Sequence, residues 1–133
     1  MYKNKLVKLV LLTSILLVGC AKTGGLLENV ESMDASEETV EHVKLVFKKQ
    51  SKEIYLMYQR VVRLDPKIEG EVVFQFILTS NGKVLNCTAT QNTTGSEQLV
   101  LDACKRIDLF HFKKGVSRGY EKVSYPMSFY LVN

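Results

Sequence analysis

The chain has 133 residues, 46% of them apolar, with no Trp and two Pro, enough for one modest core and a short appendage. Its formal charge is +4, and Lys3, Lys5 and Lys8 supply three of those charges, so without residues 1–19 the balance falls to +1. A near-neutral chain lacks the concentrated basic face that nucleic-acid binding needs.

The first element is an apolar run from Leu6 to Val18, preceded and flanked by those lysines and closed by Gly19-Cys20. It is shorter than the roughly 20 residues of a spanning helix. A basic start, a short apolar core and a small residue before a cut site make a secretory signal. The run Leu16-Leu17-Val18-Gly19-Cys20 resembles a bacterial lipobox. That resemblance implies cleavage before Cys20, acylation of its thiol, and a chain anchored to a membrane through acyl chains outside the cytoplasm. An Asp after the cysteine would resemble the inner-membrane retention signal of Gram-negative lipoproteins; Ala21 stands there instead, which in a cell with an outer membrane implies that membrane, facing the periplasm, over the inner one. Residues 1–19 are then the signal, 20–35 the anchor and tether, and 36–133 the folded domain.

Asp34-Ala35-Ser36-Glu37 fits a capping box, with Asp34 as the expected N-cap. Val40, Val43, Phe47, Ile54, Met57, Val61 and Leu64 then make an apolar seam in steps of three and four, with Gln50 filling the gap. Asp65-Pro66 ends this long helix. The seam packs on the domain's own sheet or, alternatively, forms a coiled coil. Glu71–Thr79 reads as a strand, Asn81-Gly82 as a tight turn with positive φ at both positions, and Lys83–Gln91 as the returning strand. A two-residue turn sets Leu78 opposite Leu85, Phe76 opposite Cys87 and Phe74 opposite Ala89, all on a core face.

Ser96 or Thr94 caps a second helix. Its expected buried stripe is Val100, Ala103, Cys104 and Ile107, with Leu99 at the edge. Cys104 therefore faces the sheet that carries Cys87. With Cys20 taken by lipid, Cys87 and Cys104 are a candidate disulfide in an oxidising compartment, the alternative being two buried thiols. The last strand, Glu121–Val132, sets Val123, Tyr125, Met127, Phe129 and Leu131 on one face. Pro126 has no ladder donor and marks an edge or a bulge. The expected fold is α+β: helix-strand-strand-helix-strand, a mixed three-stranded sheet in the order 2-1-3, both helices on one face.

An ordered set of residues resembles the TonB C-terminal-like family, closest to its AgmX/PglI C-terminal branch. The set begins with Tyr58-Gln59-Arg60, Asp65-Pro66 and Gly70-Glu71-Val72-Val73-Phe74-Gln75-Phe76. It continues through Asn81-Gly82-Lys83-Val84, Leu101-Asp102-Ala103-Cys104, Ile107 and Phe110-His111-Phe112. It closes on Val123-Ser124-Tyr125-Pro126-Met127-Ser128-Phe129. The resemblance covers roughly residues 50–131. It implies a binding mode in which a partner strand pairs with the edge of the last strand, over Val123, Ser124, Tyr125, Pro126, Met127, Ser128, Phe129 and Tyr130. Met57 stands where the branch often has a cysteine that would pair with the one matching Cys104. Cys87 offers a replacement partner.

No catalytic constellation stands out. His42 is expected to face solvent beside Glu38, and His111 to point outward between Phe110 and Phe112. The histidines and cysteines lack metal-ligand spacing, and no nucleophile elbow, P-loop or dinucleotide fingerprint occurs. No cofactor or metal is expected. Lys113, Lys114, Arg118 and Lys122 form a basic loop expected to be solvated. The expected role is non-enzymatic binding of an unknown envelope protein. The alternatives are an adaptor that self-associates through the first helix, and a cell-wall polymer binder.

Overall fold

The computed structural model describes residues 31–131. The signal, Cys20 and most of the tether lie outside the described residues. Among those residues, no helix is long and apolar enough to cross a membrane. The elements are β1 (Met33–Asp34), α1 (Glu37–Leu64), β2 (Gly70–Leu78), β3 (Val84–Asn92), α2 (Glu97–Ile107) and β4 (Glu121–Phe129). The sheet order is β1-β4-β2-β3. β2 is antiparallel to both β3 and β4, and β1 is parallel to β4.

The expected order 2-1-3 survives as β3-β2-β4, but the sheet has a fourth strand. Met33 and Asp34, expected to be tether, pair with Glu121 and Lys122. Two residues carry no periodicity, so such a strand is fixed by tertiary contacts: Met33 N–H donates to Tyr120 O at 2.9 Å. With Asp34 in β1, the N-cap of α1 is Ser36. Its Oγ accepts from Thr39 N–H at 3.2 Å. In a capping box the third helical residue supplies a carboxylate to the N-cap N–H. Here that residue is Thr39, and Glu121 of β4 supplies the carboxylate instead, 2.8 Å from Ser36 N.

The seam of α1 packs on its own sheet. Val43, Val46, Phe47, Ile54, Met57, Tyr58 and Val62 are buried, whereas Val61 is half-buried and Leu64 is 92% exposed. Leu64, the last residue of α1, is off the core although it shares the azimuth of buried Val46, so its exposure belongs to the helix end, where Tyr58 and Val62 complete the buried face. Tyr58 packs its ring against Phe129, and its hydroxyl donates to Ile68 O at 2.7 Å.

The β2–β3 turn differs from the expected two-residue form. Gly82 N–H donates to Thr79 O and Thr79 N–H to Lys83 O, both at 2.9 Å. Gly82 has φ +79°, and Asn81 has no positive φ. This is a three-residue loop, a turn followed by a left-handed glycine. Leu78 therefore pairs with Val84, Ile77 with Leu85, and Phe74 with Ala89 as expected. Asn86, at φ +54°, sits in a register shift between those pairs. The loop sets Val84 inward opposite Leu78 and Leu85 outward, and the bulge then changes the parity of β3 so that Cys87 and Ala89 also face the core.

In α2, capped by Ser96, Leu99 is fully buried and Val100 is half-buried, a small rotation from the expected stripe. Cys87 and Cys104 form a disulfide that ties β3 to α2, with Cα atoms 5.6 Å apart. Both helices cover the same sheet face, over Val72, Phe74, Phe76 and Leu78. The centre is aromatic: Phe47 meets Phe76 at 6.0 Å, Phe110 at 5.1 Å and Tyr125 at 4.1 Å between ring centroids.

Candidate docking edge

Along β4 the side chains alternate between core and open face. Val123, Met127 and Phe129 are buried and Tyr125 is half-buried, while Ser124, Pro126 and Ser128 are exposed. Leu131, expected to continue the inner face, lies beyond the strand and is 52% exposed. Met127 is thus committed to the core. Of the candidate edge residues it leaves Ser124, Pro126, Ser128 and Tyr130, with part of Tyr125, at the surface.

The backbone alternates as well. Tyr120 O accepts from Met33 on the outer side of the sheet. Glu71, opposite Ser128, sends its carbonyl to Thr93 N–H at 2.9 Å and its N–H to Thr93 Oγ1 at 2.8 Å, away from β4. By the period-two rule for strands, the N–H and C=O groups of Ser124 and Ser128 point outward, as does the C=O of Pro126. Pro126 has no N–H, and its missing donor falls on the outer side, so the β2–β4 ladder loses nothing. The whole of β4 was expected to be a free edge. β1 covers Glu121 and Lys122, and no described strand pairs with the edge from Val123 onward.

α1 runs beside that edge and leaves two grooves. One, about 480 Å³, lies between Val40, Val43, Lys44 and Lys48 and the segment Val123–Pro126. The other, about 770 Å³, lies between Tyr55, Tyr58, Val62 and Arg63 and the residues Ser128, Tyr130 and Leu131.

Glu121 anchors the start of this edge and is 1% exposed. Its carboxylate accepts from Ser36 N–H at 2.8 Å and Arg118 N–H at 2.7 Å, and Thr39 Oγ1 lies 3.0 and 3.1 Å from its two oxygens. Burial pushes its pKa up. Hydrogen bonds from Ser36 N–H, the Ser117 side chain, Arg118 N–H and the Thr39 hydroxyl outweigh burial and hold it at about 2. Sequence reasoning treated Glu121 only as the first residue of a strand. The available signal was parity: Glu121 shares the inward phase of Val123, Tyr125, Met127 and Phe129, where a charge demands partners.

His42 is half-buried rather than solvent-facing. Its Nε2 accepts from Lys113 N–H at 3.0 Å, and its ring meets Phe112 edge-on at 6.1 Å. It pins the loop after α2 to α1. His111 points outward between buried Phe110 and Phe112, as expected. Among the described residues no cluster of His, Cys, Asp or Glu could hold a metal ion. The basic loop residues Lys113, Lys114 and Arg118, with Lys122 of β4, are exposed. No family profile matches this chain, and no curated protein and no solved structure matches it either.

Proposed function

We propose that this chain is a lipid-anchored binding module of the bacterial cell envelope, held by acyl chains on Cys20, that docks an extended segment of another envelope protein along β4. The role is non-enzymatic and needs no cofactor. The observation that carries this reading is the edge itself: Ser124 and Ser128 present outward N–H and C=O groups, and α1 flanks them with two grooves. Such an edge suits strand addition, in which main-chain hydrogen bonds give affinity and alternate side-chain sites give selectivity. The resemblance to the TonB C-terminal-like family points the same way, as does the shared helix-strand-strand-helix-strand order. A helical self-association would have to use another surface, because the seam of α1 is buried in its own core.

The test is capture of envelope proteins by the full lipidated chain. Ser128→Pro removes an outward N–H that the β2 ladder does not use. It is expected to lose a defined partner at least about tenfold, the scale of losing buried main-chain hydrogen bonds. Ser128→Ala is expected to keep that partner, and both variants to keep the wild-type circular dichroism spectrum. Undiminished capture by folded Ser128→Pro contradicts the edge.

A further inference from the structure

The charged side chains that line the two grooves beside β4 are cationic, and the nearest carboxylate at the edge is Glu71 of β2, which accepts from the Ser128 hydroxyl at 3.3 Å. Lys44 and Lys48 border one and Arg63 borders the other, and no acidic side chain lines either. Among the described residues the one ion pair is Glu41–Lys44, at 3.3 Å between exposed side chains. Lys48 and Arg63 therefore have no carboxylate partner there. The groove floors are apolar, with Val43 and Tyr125 in one and Tyr58 and Val62 in the other. Cations on the rim and apolar floors are an unmet electrostatic and hydrophobic complement.

We infer that the segment docking at β4 is an acidic extended peptide, with Asp or Glu toward both ends and apolar residues at alternate positions between. This rests on the reading of β4 as a docking edge. The spacing sets its length. Lys48 and Arg63 are fifteen positions apart on α1, about 22 Å at the helical rise. A strand covers that distance in about seven residues.

A second copy of this chain does not fit. Its β4 would bring Lys122, Ser124, Pro126 and Ser128 to the edge, with no carboxylate to meet Lys48 or Arg63. An antiparallel pairing of two such edges centred on Pro126 would also leave each Pro126 carbonyl facing the other copy's proline nitrogen, which has no hydrogen to donate. The chain's own β1 runs parallel to β4 and pairs only with Glu121 and Lys122, short of the open edge.

The experiment is selection of random ten-residue displayed peptides on the full chain in detergent micelles. Affinities of the enriched peptides then follow by fluorescence anisotropy. The enriched pool is expected to hold several-fold more Asp and Glu than the input. Lys48→Glu combined with Arg63→Glu, both at exposed positions, is expected to weaken the selected peptides about tenfold at low salt and less at high salt. Ser128→Pro is expected to abolish their binding. Enriched peptides that are uncharged or basic, yet lost with Ser128→Pro, overturn the acidic inference and leave the edge standing. Peptides that bind Ser128→Pro as well as the wild type overturn both, as does a selection that enriches nothing.

Discussion

Glu121 is the residue on which the start of the edge depends. A buried carboxylate survives only when its hydrogen bonds outweigh the lost hydration, and here they come from α1, from the loop before β4 and from the N-cap itself. Its folded pKa of about 2 lies below the ordinary glutamate value of 4.5. A depressed pKa contributes stability that is fully present above the unfolded value and is lost as pH falls through the folded one. The loss therefore falls between about pH 4.5 and about pH 2. Glu121→Gln is expected to destabilise the domain by about 2–3 kcal/mol at pH 7, the scale of hydrogen bonds to a charged group. It should also flatten that acid limb in urea titrations run across the pH range. An unchanged limb would mean that other carboxylates carry it. Gly82 is a second single-residue constraint. At φ +79°, with Phe112 O where a Cβ would stand, Gly82→Ala is expected to cost about 1–3 kcal/mol in thermal or urea unfolding.

At the scale of elements, the disulfide links β3, the sheet strand farthest from β4, to the helix above it. Closing a loop of this length is worth about 3 kcal/mol in the chain-entropy model. Reduction, or Cys104→Ser, is expected to lower the urea midpoint accordingly while leaving peptide binding at β4 intact. Loss of both together would show that the two edges are coupled. Much of this layout was legible in the chain. Asp65-Pro66 stopped α1 at Leu64, Asn81-Gly82 marked the hairpin, and the alternation from Val123 to Phe129 gave β4 its inward face. What was not legible depends on contacts distant in sequence. β1 is two residues held by Tyr120 and by the network around Glu121. The exchange of Leu85 for Val84 in the core follows from the three-residue loop, and the Asn86 bulge returns Cys87 and Ala89 to the core face. Leu64 is exposed because it is the last residue of α1, an end effect that a count of threes and fours hides.

For the molecule as a whole, the architecture separates support from display. Both helices, the disulfide and the aromatic centre occupy one face of the sheet. β1 closes β4 only at Glu121–Lys122, so the chain leading in from residue 31 meets the sheet at one end of the strand. The rest of β4 lies beside α1 with its outward polar groups unpaired by any described strand. Pro126 in that row interrupts the donors, which blunts indiscriminate edge-to-edge pairing while two serines still offer complete pairing sites. A domain of this form, anchored through Cys20 as proposed, would be suited to catching a strand, and the most direct measurement is site-specific photo-crosslinking in cells from positions 124, 126 and 128 of the full chain. The account predicts one discrete heterologous adduct from these positions and none from exposed sites on α2 such as Leu101. Adducts confined to α1 positions such as Leu45 or Lys49, or formed only between copies of this chain, would contradict it.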